Sequence, residues 1–294
     1  MSEKYRPSEE ETQKNDLLSL DQAEQVFCKD FFGSKAIHDT FGVDIKDVPQ
    51  IQFSREELER ARELNQQLIL YVDKASDGEP LTGKKILTLT NNKTSNNENL
   101  FRYYGTDDDC IDIYKESIFR QETPRKGWRL VSKEVVPGSF YEHKAYRVDN
   151  SSYDYLRQTE IMIDYLNNQV FKDQPIPKEY KIAIKEFENR KDGIKRRLVN
   201  GEIEVVEELE NLQITKLIRE TPIEVIYRLV LNERINKEKL LGSQYTWTSR
   251  SAFKRSRHRY EPVVIGDFNG GIDIETASPW GTYRDFGSTF SRSS

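Results

Sequence analysis

Arg250, Lys254, Arg255, Arg257 and Arg259 fall close together, with Phe253 inside the run and Tyr260 just beyond it. Guanidinium groups pair with phosphate oxygens and aromatic rings stack on bases, so this is the chemistry of a segment that grips nucleic acid. The plainer purpose is to keep an exposed hairpin loop in solution, and that reading carries more weight. Further on, Trp280, Tyr283, Arg284 and Asp285 lie in a stretch with glycine, serine and threonine. Rigid aromatic rings beside small polar residues and arginine are the vocabulary of adaptable contact surfaces. Together with Tyr260 they form the candidate ligand-binding set. Trp247 and Phe290 share the same segment but read as core of a small sheet.

Other chemistry is hard to assemble. His38, His143 and His258 are far apart and none has a cysteine nearby, so no zinc spacing arises. Asp107, Asp108, Asp109 and Asp112 lack the central glycine and terminal glutamate of a calcium loop and read as a solvated tip. No serine stands in a nucleophile elbow, and no glycine loop is built to cradle phosphate. Carboxylates are dense at 179–188, yet they suit a charged helix face. Lys191, Lys195, Arg196 and Arg197 read the same way. Cys28 and Cys110 are too few for a disulfide framework. Cys28 lies beside Val26, Phe27 and Phe31 and is expected to be a buried thiol. No catalytic residue, metal ligand or cofactor is expected.

Composition narrows the class. The chain has 294 residues, with 36% hydrophobic, 32% charged and 11% aromatic. That length can bury a real core, and the aromatic content argues for a folded chain with a heavily charged surface. The net charge of −5, from 45 basic and 50 acidic residues, is too balanced for attraction to nucleic acid or membrane over the whole surface. No apolar run approaches the ~18 residues of a membrane span, and the first residues lack the apolar core of a signal peptide. The expected address is the cytoplasm, without membrane contact.

Elements follow from caps and periodicity. Residues 1–16 have nothing to bury and read as a disordered tail. Ser19 caps a helix carrying Ala23, Val26, Phe27 and Phe31, expected to stop at Gly33. A short helix from Ser34 closes at Gly42. Ser54 and Glu57 form a capping box. Strands are expected at 68–72, 100–104 and 128–136, and a helix from Thr82 to about Leu89. From Tyr153, the stripe Leu156, Ile163, Leu166 and Val170 begins a run of helices. Tyr180, Ile184 and Phe187 mark a second, with a bend at Gly193. Val205, Val206, Leu209 and Leu212 mark a third. Thr221, Pro222 and Glu224 start a fourth, carrying Val225, Ile226, Leu229 and Val230. After Gly242 the pattern becomes strand-like at 245–249, 263–268, 272–275 and 286–290, with a turn at 267–271. The fold class is α+β: a tail at 1–16, a mixed region at 17–149, a helical bundle at 150–242 and a β-rich module at 243–294. The module alone would be marginal and is expected to pack on the helical body, whose helical signal should largely persist when 242–294 are deleted.

Two resemblances add to this. The phrases at 53–58, 127–135 and 245–249 resemble an uncharacterised bacterial family of candidate-phylum genomes. The Trp-Thr-Ser strand at 247–249, the glycine turn at 266–271 and the closing aromatic strand resemble the end of C-type-lectin-like modules, as carried by variable proteins of diversity-generating retroelements. That resemblance implies a ligand surface at 277–285. The family's disulfide is missing, and its calcium-sugar tripeptide appears as Glu261-Pro262-Val263, where valine offers no side-chain oxygen. The expectation is a non-enzymatic binding protein for an unknown protein or small ligand, with nucleic acid held at 250–259 as the alternative.

Overall fold

Three helices begin with a hydroxyl residue followed, at the third helical position, by Gln or Glu, and each forms a reciprocal cap: Ser19 with Gln22, Ser54 with Glu57 and Thr221 with Glu224. Each box satisfies two backbone amides that helix geometry leaves without partners. The computed structural model describes residues 17–91, 100–101, 113–137, 155–202, 204–241, 244–254, 259–268, 271–279 and 285–293. The expected tail at 1–16, the acidic tip, Cys110, His143 and His258 lie outside them.

In order, the helices are α1 (Leu20–Phe27), α2 (Ser34–Phe41), α3 (Arg55–Glu63), α4 (Gly83–Asn91), the single turn α5 (Ser117–Arg120), α6 (Tyr155–Tyr165), α7 (Lys178–Val199), α8 (Glu204–Asn211), α9 (Gln213–Ile218) and α10 (Pro222–Leu231). The strands are β1 (Phe31–Phe32), β2 (Gln66–Tyr71), β3 (Gly127–Ser132), β4 (Tyr245–Lys254), β5 (Arg259–Phe268), β6 (Gly271–Thr276), β7 (Phe286–Gly287) and β8 (Ser291–Ser293). Helices and two mixed sheets make this an α+β fold, as the periodicity predicts.

Several boundaries shift for local reasons. α1 stops at Phe27, and Cys28 begins a 3-10 turn with a positive φ of 51°. That turn rotates Cys28 out of the apolar stripe, so its thiol is exposed rather than buried. Gly33 precedes α2 rather than ending α1, and a side chain there would strike the Phe31 ring. Gly42 closes α2 in the left-handed conformation, as expected. α7 runs through Gly193 without a break. The expected loop at 250–259 is largely strand: β4 continues to Lys254 and β5 starts at Arg259. Of the expected strand at 100–104, Leu100 and Phe101 are described, and Phe101 forms an isolated bridge to Ile272.

The first sheet has the order β1-β2-β3-β8, and the second β6-β5-β4-β7. β8 pairs antiparallel with β3, placing Arg292 opposite Leu130. The chain terminus therefore completes a sheet begun in the first third of the sequence. α10 packs against both sheets. It touches β4 and β5, and its Tyr227 hydroxyl donates to Leu70 O of β2 at 3.1 Å. Every residue of α10 is buried, so it is a core helix, while α7, α8 and α9 pack on one another. One apolar cluster joins Phe27, Leu68 and Trp128 to Ile226 and Ile265; the other joins Met162 and Phe187 to Trp247 and Phe290. Each draws on all three sequence regions, so the packing does not follow the expected boundaries at 149 and 242.

Because α10 is central, its cap has leverage. Thr221→Ala is expected to lower stability by about 1–2 kcal/mol, read as a shift in the urea midpoint, while Thr221→Ser keeps the acceptor and stays near the parent. Equal midpoints for the alanine variant and the parent would show that the cap contributes nothing.

Candidate functional site

The segment holding Trp280, Tyr283 and Arg284 lies outside the described residues, but its flanks do not. Ala277, Ser278 and Pro279 are buried on one side, and Phe286 is half-buried on the other. The first turn of α6 holds both flanks: Tyr155 N donates to Pro279 O at 3.1 Å, and Gln158 Nε2 donates to Phe286 O at 3.2 Å. Tyr245 N donates to Asp285 O at 2.7 Å, fixing the exposed Asp285 beside β4. The segment thus leaves from and returns to a rigid frame.

Tyr260 belongs elsewhere. It is exposed, packs edge-on against Phe253, and pairs with it near the hairpin end of β4 and β5. Tyr245, beside Asp285, pairs with Gly266. At about 3.3 Å per residue, Tyr260 and Gly266 are separated by ~20 Å along β5. Tyr260 and Asp285 are therefore not brought together.

Of the basic set, Arg255 and Arg257 lie outside the described residues, as does the side chain of Lys254. Arg250 pairs with Glu122 at 3.1 Å, and Arg259 with the buried Glu261 at 2.8 Å. Both guanidiniums already face carboxylates, which lowers their call on phosphate. On α7, Lys191 pairs with Glu160 and Glu188, and Arg197 with Glu202 and Glu208, so those cations also have anions at hand. Among the described residues, no cluster of three or more His, Cys, Asp or Glu is arranged to hold a metal ion, and no helix is long and apolar enough to cross a membrane.

Beneath the frame lies a charged group that sequence reasoning missed. Arg228 and Glu220 are both buried and joined at 2.9 Å. Tyr71 donates its hydroxyl to Glu220 at 2.9 Å, and Thr289 donates at 3.2 Å. Burial opposes the charge on Arg228, but the Glu220 carboxylate outweighs it and raises the guanidinium pKa. Arg219 is also buried. It donates to Ser288 at 2.8 Å and Thr159 at 3.1 Å and lies over the Tyr155 ring at 4.2 Å. Burial lowers its pKa. Nearby, burial pushes the Glu224 carboxyl up, yet Arg129 and Arg125 prevail and hold it at about 2. Ser288 and Thr289 directly follow β7, so these contacts connect α10 to the chain just beyond the candidate segment. Nothing local marks Arg219, Glu220 or Arg228 as interior residues.

A second site also escaped the sequence. A cleft of about 730 Å³ opens between the end of α3, the chain leaving β3, and the end of α6. Comparison with family models, curated proteins and solved structures finds no match to this chain.

Proposed function

We propose that this chain is a non-enzymatic binding protein that offers Trp280, Tyr283 and Arg284, with Asp285 at the edge, to a protein or small ligand. The observation that carries this reading is the fixing of both flanks of 280–284 on the first turn of α6. A short segment tied at both ends loses little conformational freedom on binding, which favours affinity. The resemblance to C-type-lectin-like variable modules points to the same segment. Tyr260 is left out of the contact set by its distance along β5.

The test uses labelled full-length protein on printed peptide and glycan arrays, beside the variant W280A/Y283A/R284A. Loss of the parent's signals by about tenfold or more, roughly 1.4 kcal/mol of binding, is expected with an unchanged melting temperature. Parent and variant giving the same array pattern would sink the proposal. Nucleic acid is the weaker partner, given the carboxylates already facing Arg250 and Arg259. Affinity for short single or double strands that falls steeply with salt would revive it.

A further inference from the structure

We propose that the connector at 237–241, between α10 and β4, is a proton-operated latch, held on β5 while Asp267 carries a proton and released when Asp267 ionises. Leu240 N donates to Asp267 Oδ2 at 2.8 Å, and Lys239 Nζ donates to Phe268 O at 2.9 Å, so the connector lies against the end of β5. Leu240 and Leu241 are buried in the apolar cluster that surrounds α10. The backbone bends sharply to put them there. Lys237 and Leu241 both have positive φ, at 57° and 69°. That region is costly for any residue with a side chain, so the connector keeps its shape only through the contacts that hold it. At Glu238 the holders are Lys29 and Lys133. At Leu240 the holder is Asp267.

Asp267 is badly placed to carry a charge. It is 6% exposed, and among the described residues its one hydrogen bond comes from a neutral amide and no cation pairs with it. The charged groups facing it are engaged elsewhere or are of the wrong sign. Arg228 of α10 is paired with Glu220, and Lys239 of the connector points its ammonium at Phe268 O. Glu233, in the turn that follows α10, adds a like charge. β6 sets the uncharged Ile272 opposite Asp267, and β4 pairs with β5 no further along than Gly266. A carboxylate with so little to replace its water favours the neutral acid. Burial pushes its pKa from an ordinary 3.8 to about 6, against the opposing pull of the Leu240 amide, Lys239 and Arg228. The neutral acid can still accept from Leu240 N, so protonation costs no hydrogen bond. The held form binds this proton more tightly than the released form, in which Asp267 meets water. Release is therefore hardest below about pH 4, becomes easier as pH rises towards 6, and changes little above that.

The latch is separate from 280–284, so its failure leaves the function proposed above untouched. The test is amide hydrogen exchange of the full chain from about pH 4 to pH 7, read at Leu240 and divided by the intrinsic rate at each pH. The opening constant should rise by about a hundredfold up to pH 6 and then level off, tenfold for each unit by which the two forms differ. Asp267→Asn keeps the acceptor for Leu240 N and cannot ionise, so the variant should lack this rise and stay near the parent's low-pH value. Ile69, fully buried in β2, reports opening of the whole fold and should open far less often than Leu240 at every pH. The same Leu240 profile in parent and variant would overturn the proposal. So would a flat profile in the parent, or equal opening at Leu240 and Ile69, which would mean that the connector never opens by itself.

Discussion

Replacing Glu220 by glutamine is expected to destabilise the fold by about 3–5 kcal/mol, because it leaves the Arg228 guanidinium charged and buried without an anion. Both side chains are fully shielded from solvent. Glu220 takes hydrogen bonds from Arg228, Tyr71 and Thr289, so the loss extends beyond one ion pair. A domain of this kind has only about 5–15 kcal/mol in total, so the change is a large fraction of it. The companion experiment removes both charges. Glu220→Leu with Arg228→Met removes both members of this buried pair, and such replacements are often neutral or stabilising. Urea unfolding followed by circular dichroism reads all three proteins. A single variant within about 1 kcal/mol of the parent would mean that Arg228 finds water or another anion, contrary to the geometry.

Deleting 242–294 is expected to unfold the remainder rather than leave a folded helical body. The sequence suggests the opposite, since the segment reads as an appended module. In the fold it supplies β8 to the first sheet and β4 and β5 to one side of α10. Trp247, Val263, Val264, Ile265, Ile272 and Phe290 are each 2% exposed or less. Truncating any one such side chain to alanine costs roughly 2–5 kcal/mol. Removing all of them exceeds the whole stability of a typical domain. The truncated chain should lose cooperative melting and much of its helical signal. A cooperative transition with near-parental ellipticity per residue would show that the C-terminal strands are dispensable.

What the sequence legislates by itself is local. The capping boxes at 54–57 and 221–224 form as read, because their hydrogen bonds join atoms three residues apart. Gly42 closes its helix, and Phe268 pairs with Gly271 around the expected turn. The stripe Leu156, Ile163, Leu166 and Val170 is buried, as are Trp247 and Phe290, because helical period and side-chain size already select the inward face.

Tertiary structure decided the rest. Arg219, Glu220 and Arg228 carry no local signal of burial, and Glu224 reads only as a helix cap, yet each is buried, and the partners that make this tolerable come from distant segments such as Arg125 and Thr289. Cys28 reads as core but is turned outward by one 3-10 turn. Tyr260 and Asp285 read as one surface, but strand register holds them apart, and the cleft at the end of α3 draws its walls from three separated stretches. Helix period and caps are fixed by atoms a few residues apart and survive reading in one dimension. Strand partners, the burial of charge and the meeting of cleft walls depend on which distant segments pack together, and the fold sets that through the energy of the whole core.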